Sequence, residues 1–174
     1  EATGRTWSIG RILAVATMVA IIIFWTWIFA GGPKKQNPDY LDDRRFANRT
    51  EQRCKELRAD LAKLPTASAT TTTAERIPVI EEATDRVEEM VHEIAADAPR
   101  SGDDAISVKG WLTDWRSYLA ARREYADALR KDPKAEFLLT DSGVNGIERP
   151  VDETIETFAQ VNGIPDCATP GDVG

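Results

Sequence analysis

Histidine occurs once in this 174-residue chain, at position 92, and cysteine twice, at positions 54 and 167. That scarcity limits the chemistry. A nucleophilic triad would have to use His92, and both thiols are consumed if they bond to each other. Glu89-x-x-His92 has the helical spacing of a carboxylate-bridged di-iron ligand pair, but such a centre needs a second Glu-x-x-His and two further glutamates on facing helices. What remains for His92 is a solvated helix surface. The sequence has no Cys-x-x-Cys-His for covalent haem and no glycine-rich phosphate loop. Its paired carboxylates, Glu81-Glu82, Glu88-Glu89 and Asp103-Asp104, are adjacent residues suited to helix surfaces and caps, not a separated acid and base. No catalytic residue, cofactor site or metal site is marked, and we expect a protein that is not an enzyme.

Positive charge is scarce as well. Of 29 acids and 22 bases, one acid and two bases fall in the first eleven residues, leaving 28 against 20 in the rest, a net of −8. Nucleic acid is not an expected partner.

What the chain does have is an uncharged run from Ile12 to Ala30, ILAVATMVAIIIFWTWIFA, without a proline. As a helix it is roughly 28 Å long, close to the ~30 Å hydrocarbon thickness of a bilayer. We read it as a transmembrane helix. The rival reading is a secretory signal peptide, since Arg5 and Arg11 precede the run and Ala30-Gly31-Gly32 follow it. The run exceeds the usual apolar length of such peptides, and Ile28 fits poorly three positions before a cut. Trp7, Trp25 and Trp27 suit the two interfacial belts. Phe24, Trp25, Trp27 and Phe29 point around most of the helix, so Phe24, Trp25 and Trp27 are also candidate contacts with another protein. Gly10/Ala14 and Ala16/Ala20 have the spacing that permits close helix approach. Beyond the span, Gly31-Gly32-Pro33 breaks the helix and Lys34-Lys35 meet lipid phosphates.

The expected layout is a short tail, 1–11, the span, 12–30, a juxtamembrane linker, 31–38, and a folded domain, 39–174. Orientation is contested. Arg5 and Arg11 on one side face Lys34, Lys35, Arg44 and Arg45 on the other, which favours a cytosolic domain, although the rule weakens for long translocated domains. Cys54 and Cys167, an even pair at opposite ends of the folded region, read as a disulfide made in an oxidising compartment. On that ground we expect a plasma-membrane protein with its N-terminus cytoplasmic and its domain extracytoplasmic. The bond would contribute on the order of 5 kcal/mol by the chain-entropy estimate.

Apolar spacing in the domain predicts four helices. The first follows a cap at Asn37-Pro38 and runs to Leu64, burying Ala47, Thr50, Cys54, Leu57, Leu61 and Leu64. Asn48-Arg49-Thr50 matches a glycosylation sequon in mid-helix. Residues 66–74 form a Thr- and Ala-rich linker. The second helix, Arg76 to Ala98, has the stripe Ile77, Ile80, Ala83, Val87, Val91, Ile94 and Ala98. The third, from Asp103-Asp104 to Lys131, has the heaviest apolar face, including Trp111, Trp115, Tyr118 and Tyr125. The fourth opens at Pro150 and closes at Asn162-Gly163. Between the last two, Phe137-Leu138-Leu139 reads as a short extended piece, with turns at Asp141-Ser-Gly143 and Asn145-Gly146. The fold class is therefore all-α: one transmembrane helix followed by a disulfide-tied four-helix bundle. Arg122 falls among Trp115, Tyr118, Tyr125 and Leu129, where it must be paired or snorkel to water. A carboxylate on a neighbouring helix is one answer. A ligand or partner contact is the other.

Trp111-Leu-Thr-Asp-Trp115-Arg-Ser-Tyr118-Leu-Ala-Ala-Arg122-Arg-Glu-Tyr125, with the late Asn162-Gly-Ile-Pro-Asp-Cys167, resembles a loose group of actinobacterial single-pass envelope proteins with small helical extracytoplasmic domains. The resemblance implies a setting at the outer face of the plasma membrane, where chains of this sort accompany large assemblies such as the cytochrome bc–cytochrome oxidase supercomplex. It carries over no site residue. Two functions follow as expectations. One is a non-catalytic accessory or assembly subunit of a larger, respiratory membrane complex, with integral membrane subunits and the lipid bilayer as partners. The other is a membrane-anchored envelope module that binds or senses a ligand. A tail of eleven residues has little with which to relay a signal, which favours the first.

Overall fold

The computed structural model describes residues 9–29, 37–70, 72–144 and 147–173 of the chain. Five α-helices and one hairpin are present among them, in two units. One is the N-terminal helix, and the other is a folded unit beginning at Asn37.

Helix α1, Ile9–Phe29, starts three residues before the expected span and takes in Gly10 and Arg11. At about 31 Å it is long and apolar enough to cross a membrane. None of its described side chains is buried. The hydroxyl of Thr26 donates to the carbonyl of Ile22 at 2.6 Å, so this polar group is satisfied within the helix. Trp7, the Gly31-Gly32-Pro33 break and Lys34-Lys35 lie outside the described residues.

The folded unit holds helices α2, Arg44–Leu61, α3, Thr73–Ala96, α4, Asp103–Lys131, and α5, Val151–Asn162. Helix α3 packs on α2 and α4, and α4 packs on α5. The four expected helices are present, but two begin elsewhere. Asn37-Pro38 does not open α2. Asn37 instead caps a local turn by accepting from the Asp39 amide, and Asp43 is the helix cap, accepting from the amides of Arg45 and Phe46. The helix also stops at Leu61, short of Leu64. Helix α3 starts inside the expected linker, because Thr72 and Glu75 form a reciprocal capping box there. A single turn of 3-10 helix, Ala67–Ala69, occupies part of the same connector.

The segment before α5 also differs from expectation. Phe137-Leu138-Leu139 forms no strand. The strands are β1, Asp141–Val144, and β2, Ile147–Pro150, paired antiparallel with Ser142 opposite Arg149. Asp141-Ser-Gly143 is thus a strand and not a turn. The expected Asn145-Gly146 turn lies outside the described residues. Gly163 ends α5 in the left-handed region at φ 65°, which glycine adopts without steric cost.

The core is an aromatic ladder on α4. Trp111 stacks on Phe158 of α5 at 4.8 Å between centroids, and Trp115 meets both Trp111 and Tyr118 edge-on. Around it lie Phe46, Val87, Ile94, Val108, Val151 and Ile155, all buried. Cys54 of α2 is bonded to Cys167, in the turn Pro165–Cys167 that follows α5, and the two cysteines are 113 residues apart in sequence. First and last elements of the unit are therefore covalently joined.

Candidate functional site

Arg122 is wholly buried, and the fold surrounds it with partners. The α-helical repeat brings Tyr118 one turn below it, and the phenol oxygen accepts from its Nη1 at 3.5 Å. From α3, Thr84 accepts from Nε at 2.9 Å while passing its own proton to the Ile80 carbonyl. Asp172, in the tail after the disulfide, accepts from Nη1 and Nη2 side by side, at 2.5 and 2.8 Å. This forked geometry is the strong form of the arginine–carboxylate pair. Burial alone would lower the guanidinium's pKa, but the hydrogen bonds and charge of Asp172 outweigh it, and the net shift is upward. Burial likewise pushes the Tyr118 hydroxyl up, against the opposing charge of Arg122. The ion pair expected at Arg122 is present, but its carboxylate comes from the tail and not from a neighbouring helix. In this arrangement the cation has no surface left for a ligand or a partner.

The aromatic end of α1 is the opposite case. Phe24, Trp25 and Trp27 are each more than half exposed, and Phe24 meets Trp25 edge-on at 6.0 Å. His92 and Glu89 sit on the exposed face of α3. Among the described residues no group of three or more His, Cys, Asp or Glu is placed to hold a metal ion. In the sequon, Asn48 is exposed but Thr50 is buried.

Three functional roles of polar side chains escaped the sequence pattern. Asn162 closes α5 and is also a clip: its Oδ1 accepts from the Leu41 amide at 2.8 Å, and its Nδ2 donates to the Asp39 carbonyl at 2.8 Å. Asp104 accepts from the amides of Asp42 and Asp43, holding the entry segment onto the start of α4. Asp172 had no local signal at all. The unmatched charge of Arg122 was the only sequence-level sign that such a carboxylate must exist.

A groove of about 380 Å³ opens between α4, α5 and the hairpin. Trp111 and Phe158 form its apolar wall, and Gly110, Asp114, Ser142 and Arg149 stand along it.

Set against known proteins, the chain matches no family model, no curated sequence and no solved structure. Fold and site together define an all-α protein with a membrane-length helix and a disulfide-tied helical unit.

Proposed function

We propose that the chain is a single-pass plasma-membrane protein, N-terminus in and folded unit out, serving as a non-catalytic accessory or assembly subunit of a larger membrane complex. The observation that carries this reading is α1: its described side chains are unburied, and its aromatic end offers Phe24, Trp25 and Trp27 to whatever surrounds it. In a bilayer such a face contacts lipid or the span of another subunit. The disulfide supports an oxidising, extracytoplasmic setting for the folded unit. A respiratory assembly, implied by the sequence resemblance, is the first complex to test.

The test is purification of the tagged full chain from its native membrane in mild detergent, with identification of stoichiometric companions. Co-purification of the subunits of a large complex, reduced by Phe24→Ala and Trp27→Ala together, supports the proposal. A monodisperse free chain in every mild detergent tried overturns it, and the ligand-binding module then takes its place, with the groove beside Trp111 as the site.

A further inference from the structure

We propose that the groove between α4, α5 and the hairpin docks a basic, extended peptide segment of a partner protein. This deepens the accessory reading by naming the face that docks.

The first observation is Gly110. It sits within α4, where glycine costs about 1 kcal/mol relative to alanine. Neither conformation nor packing explains it: its φ is not positive, and a Cβ built there would meet nothing within 4 Å. The missing side chain leaves the groove open.

The second is the direction of the hydroxyl protons. All four hydroxyls of the lining donate to other groups of the protein: Ser107 to the Pro38 carbonyl, Ser142 to Asp114, Thr154 to the Val151 carbonyl and Thr157 to the Glu153 carbonyl. Their oxygens therefore present only lone pairs to the groove. Asp114 adds a carboxylate whose second oxygen accepts from no described residue, and Asp39 adds another. The lining is thus rich in acceptors and carries more negative than positive charge. That calls for an occupant rich in donors and positively charged.

The third is the pair of donors left over. Arg149 is exposed and forms no ion pair among the described residues. The Trp111 indole N–H is buried without a partner among them, although its ring lines the groove. A peptide supplies both sides of this demand: backbone carbonyls for Arg149 and Trp111, and ammonium or guanidinium groups for the carboxylates and hydroxyl oxygens. Alternating apolar side chains suit the Trp111–Phe158 wall. A simple metal cation would use none of the donors, and two carboxylates are too few to hold it.

The experiment titrates the full chain in detergent with an end-blocked Lys-Leu-Lys-Leu peptide, reading amide and indole N–H resonances. Saturable shifts at Gly110, Trp111 and Arg149 are expected, with no such response to Glu-Leu-Glu-Leu. Gly110→Leu should abolish them while leaving the melting temperature unchanged or higher, since it improves helix propensity and fills open space. Asp114→Asn should weaken binding about tenfold. The absence of saturation in the millimolar range, equal response to the acidic peptide, or undiminished binding by Gly110→Leu would overturn the proposal. Co-purification separates the two readings. If Gly110→Leu retains the wild-type companions, the docking face is wrong and the accessory role stands; if the wild type has no companions, the accessory role itself fails.

Discussion

At the scale of single residues, Arg122 shows how one buried charge organises a neighbourhood. Once a guanidinium is dehydrated, removing its carboxylate leaves an uncompensated charge, which is far more damaging than replacing the whole pair by apolar groups. Asp172→Ala in the full chain is therefore expected to lower the unfolding free energy by about 3 kcal/mol, the low end because Asp172 remains partly exposed. Arg122→Met combined with Asp172→Ala should recover most of that loss. Denaturant titration followed by near-ultraviolet circular dichroism reads both; additive losses in the double variant would contradict the pairing. The same residue marks a boundary of legibility. Sequence spacing placed Arg122 in the apolar stripe, and hence in need of a partner. It had no means of naming Asp172, because 50 residues separate the two and no periodic pattern reaches the tail.

At the scale of elements, α4 was the most legible. Its 29 residues carry a 3.6-residue apolar repeat interrupted at Arg122, an acidic first turn and a basic last turn. Each signal is local. The start of α2 was misread because two sequence positions compete as caps, and the winner, Asp43, is favoured by a tertiary contact: its own amide and that of Asp42 are held by Asp104. The hairpin was not foreseen, for a related reason. Four-residue strands are too short for alternation to announce them, and Leu138, in the expected extended piece, is in fact exposed. The aromatic ladder of α4 supplies the prediction at this scale. Trp115 is 1% exposed and packs between Trp111 and Tyr118. Trp115→Ala should destabilise the folded unit by about 3–5 kcal/mol while leaving peptide binding at the groove measurable below the lowered transition. An unchanged melting temperature would place the ring's role at an interface instead.

At the scale of the whole molecule, acid acts on the fold in two opposing directions. Hydrogen bonds from Arg49 and then Arg53 hold Asp97 below the usual carboxylate range, and Lys63 does the same for Asp60. Each gives stability that is present above the ordinary aspartate pKa and lost as pH falls through the depressed folded value. Glu51 runs the other way. Burial first, and then its hydrogen bond and repulsion with Asp166, raise its pKa, so the folded form binds this proton more readily than the unfolded form. Its contribution favours folding at low pH and diminishes as pH rises from about the ordinary glutamate value of 4.5 through the raised one. Glu51→Gln is therefore expected to raise the melting temperature at neutral pH, with the gain vanishing below pH ~4. A melting temperature lowered equally at both pH values would show that Lys55 and the Asp166 amide, not the buried charge, dominate at this position. The overall architecture, an apolar helix followed by a four-helix unit, was legible because both rest on long periodic segments. The groove was not: it is made where α4, α5 and the hairpin converge, and only their assembly reveals that every hydroxyl proton around it is already given to another group of the protein.

The bond between Cys54 and Cys167 also settles how the unit carries mechanical load. Tension applied between Asn37 and Val173 runs along α2 as far as Cys54, crosses the disulfide and leaves through the last residues of the tail. Helices α3, α4 and α5 and the hairpin lie in the loop that this crossing bypasses, 113 residues long by sequence separation. Pulling on the two ends therefore stretches the short segments outside the bond, and of the residues that line the groove only Asp39 lies in them.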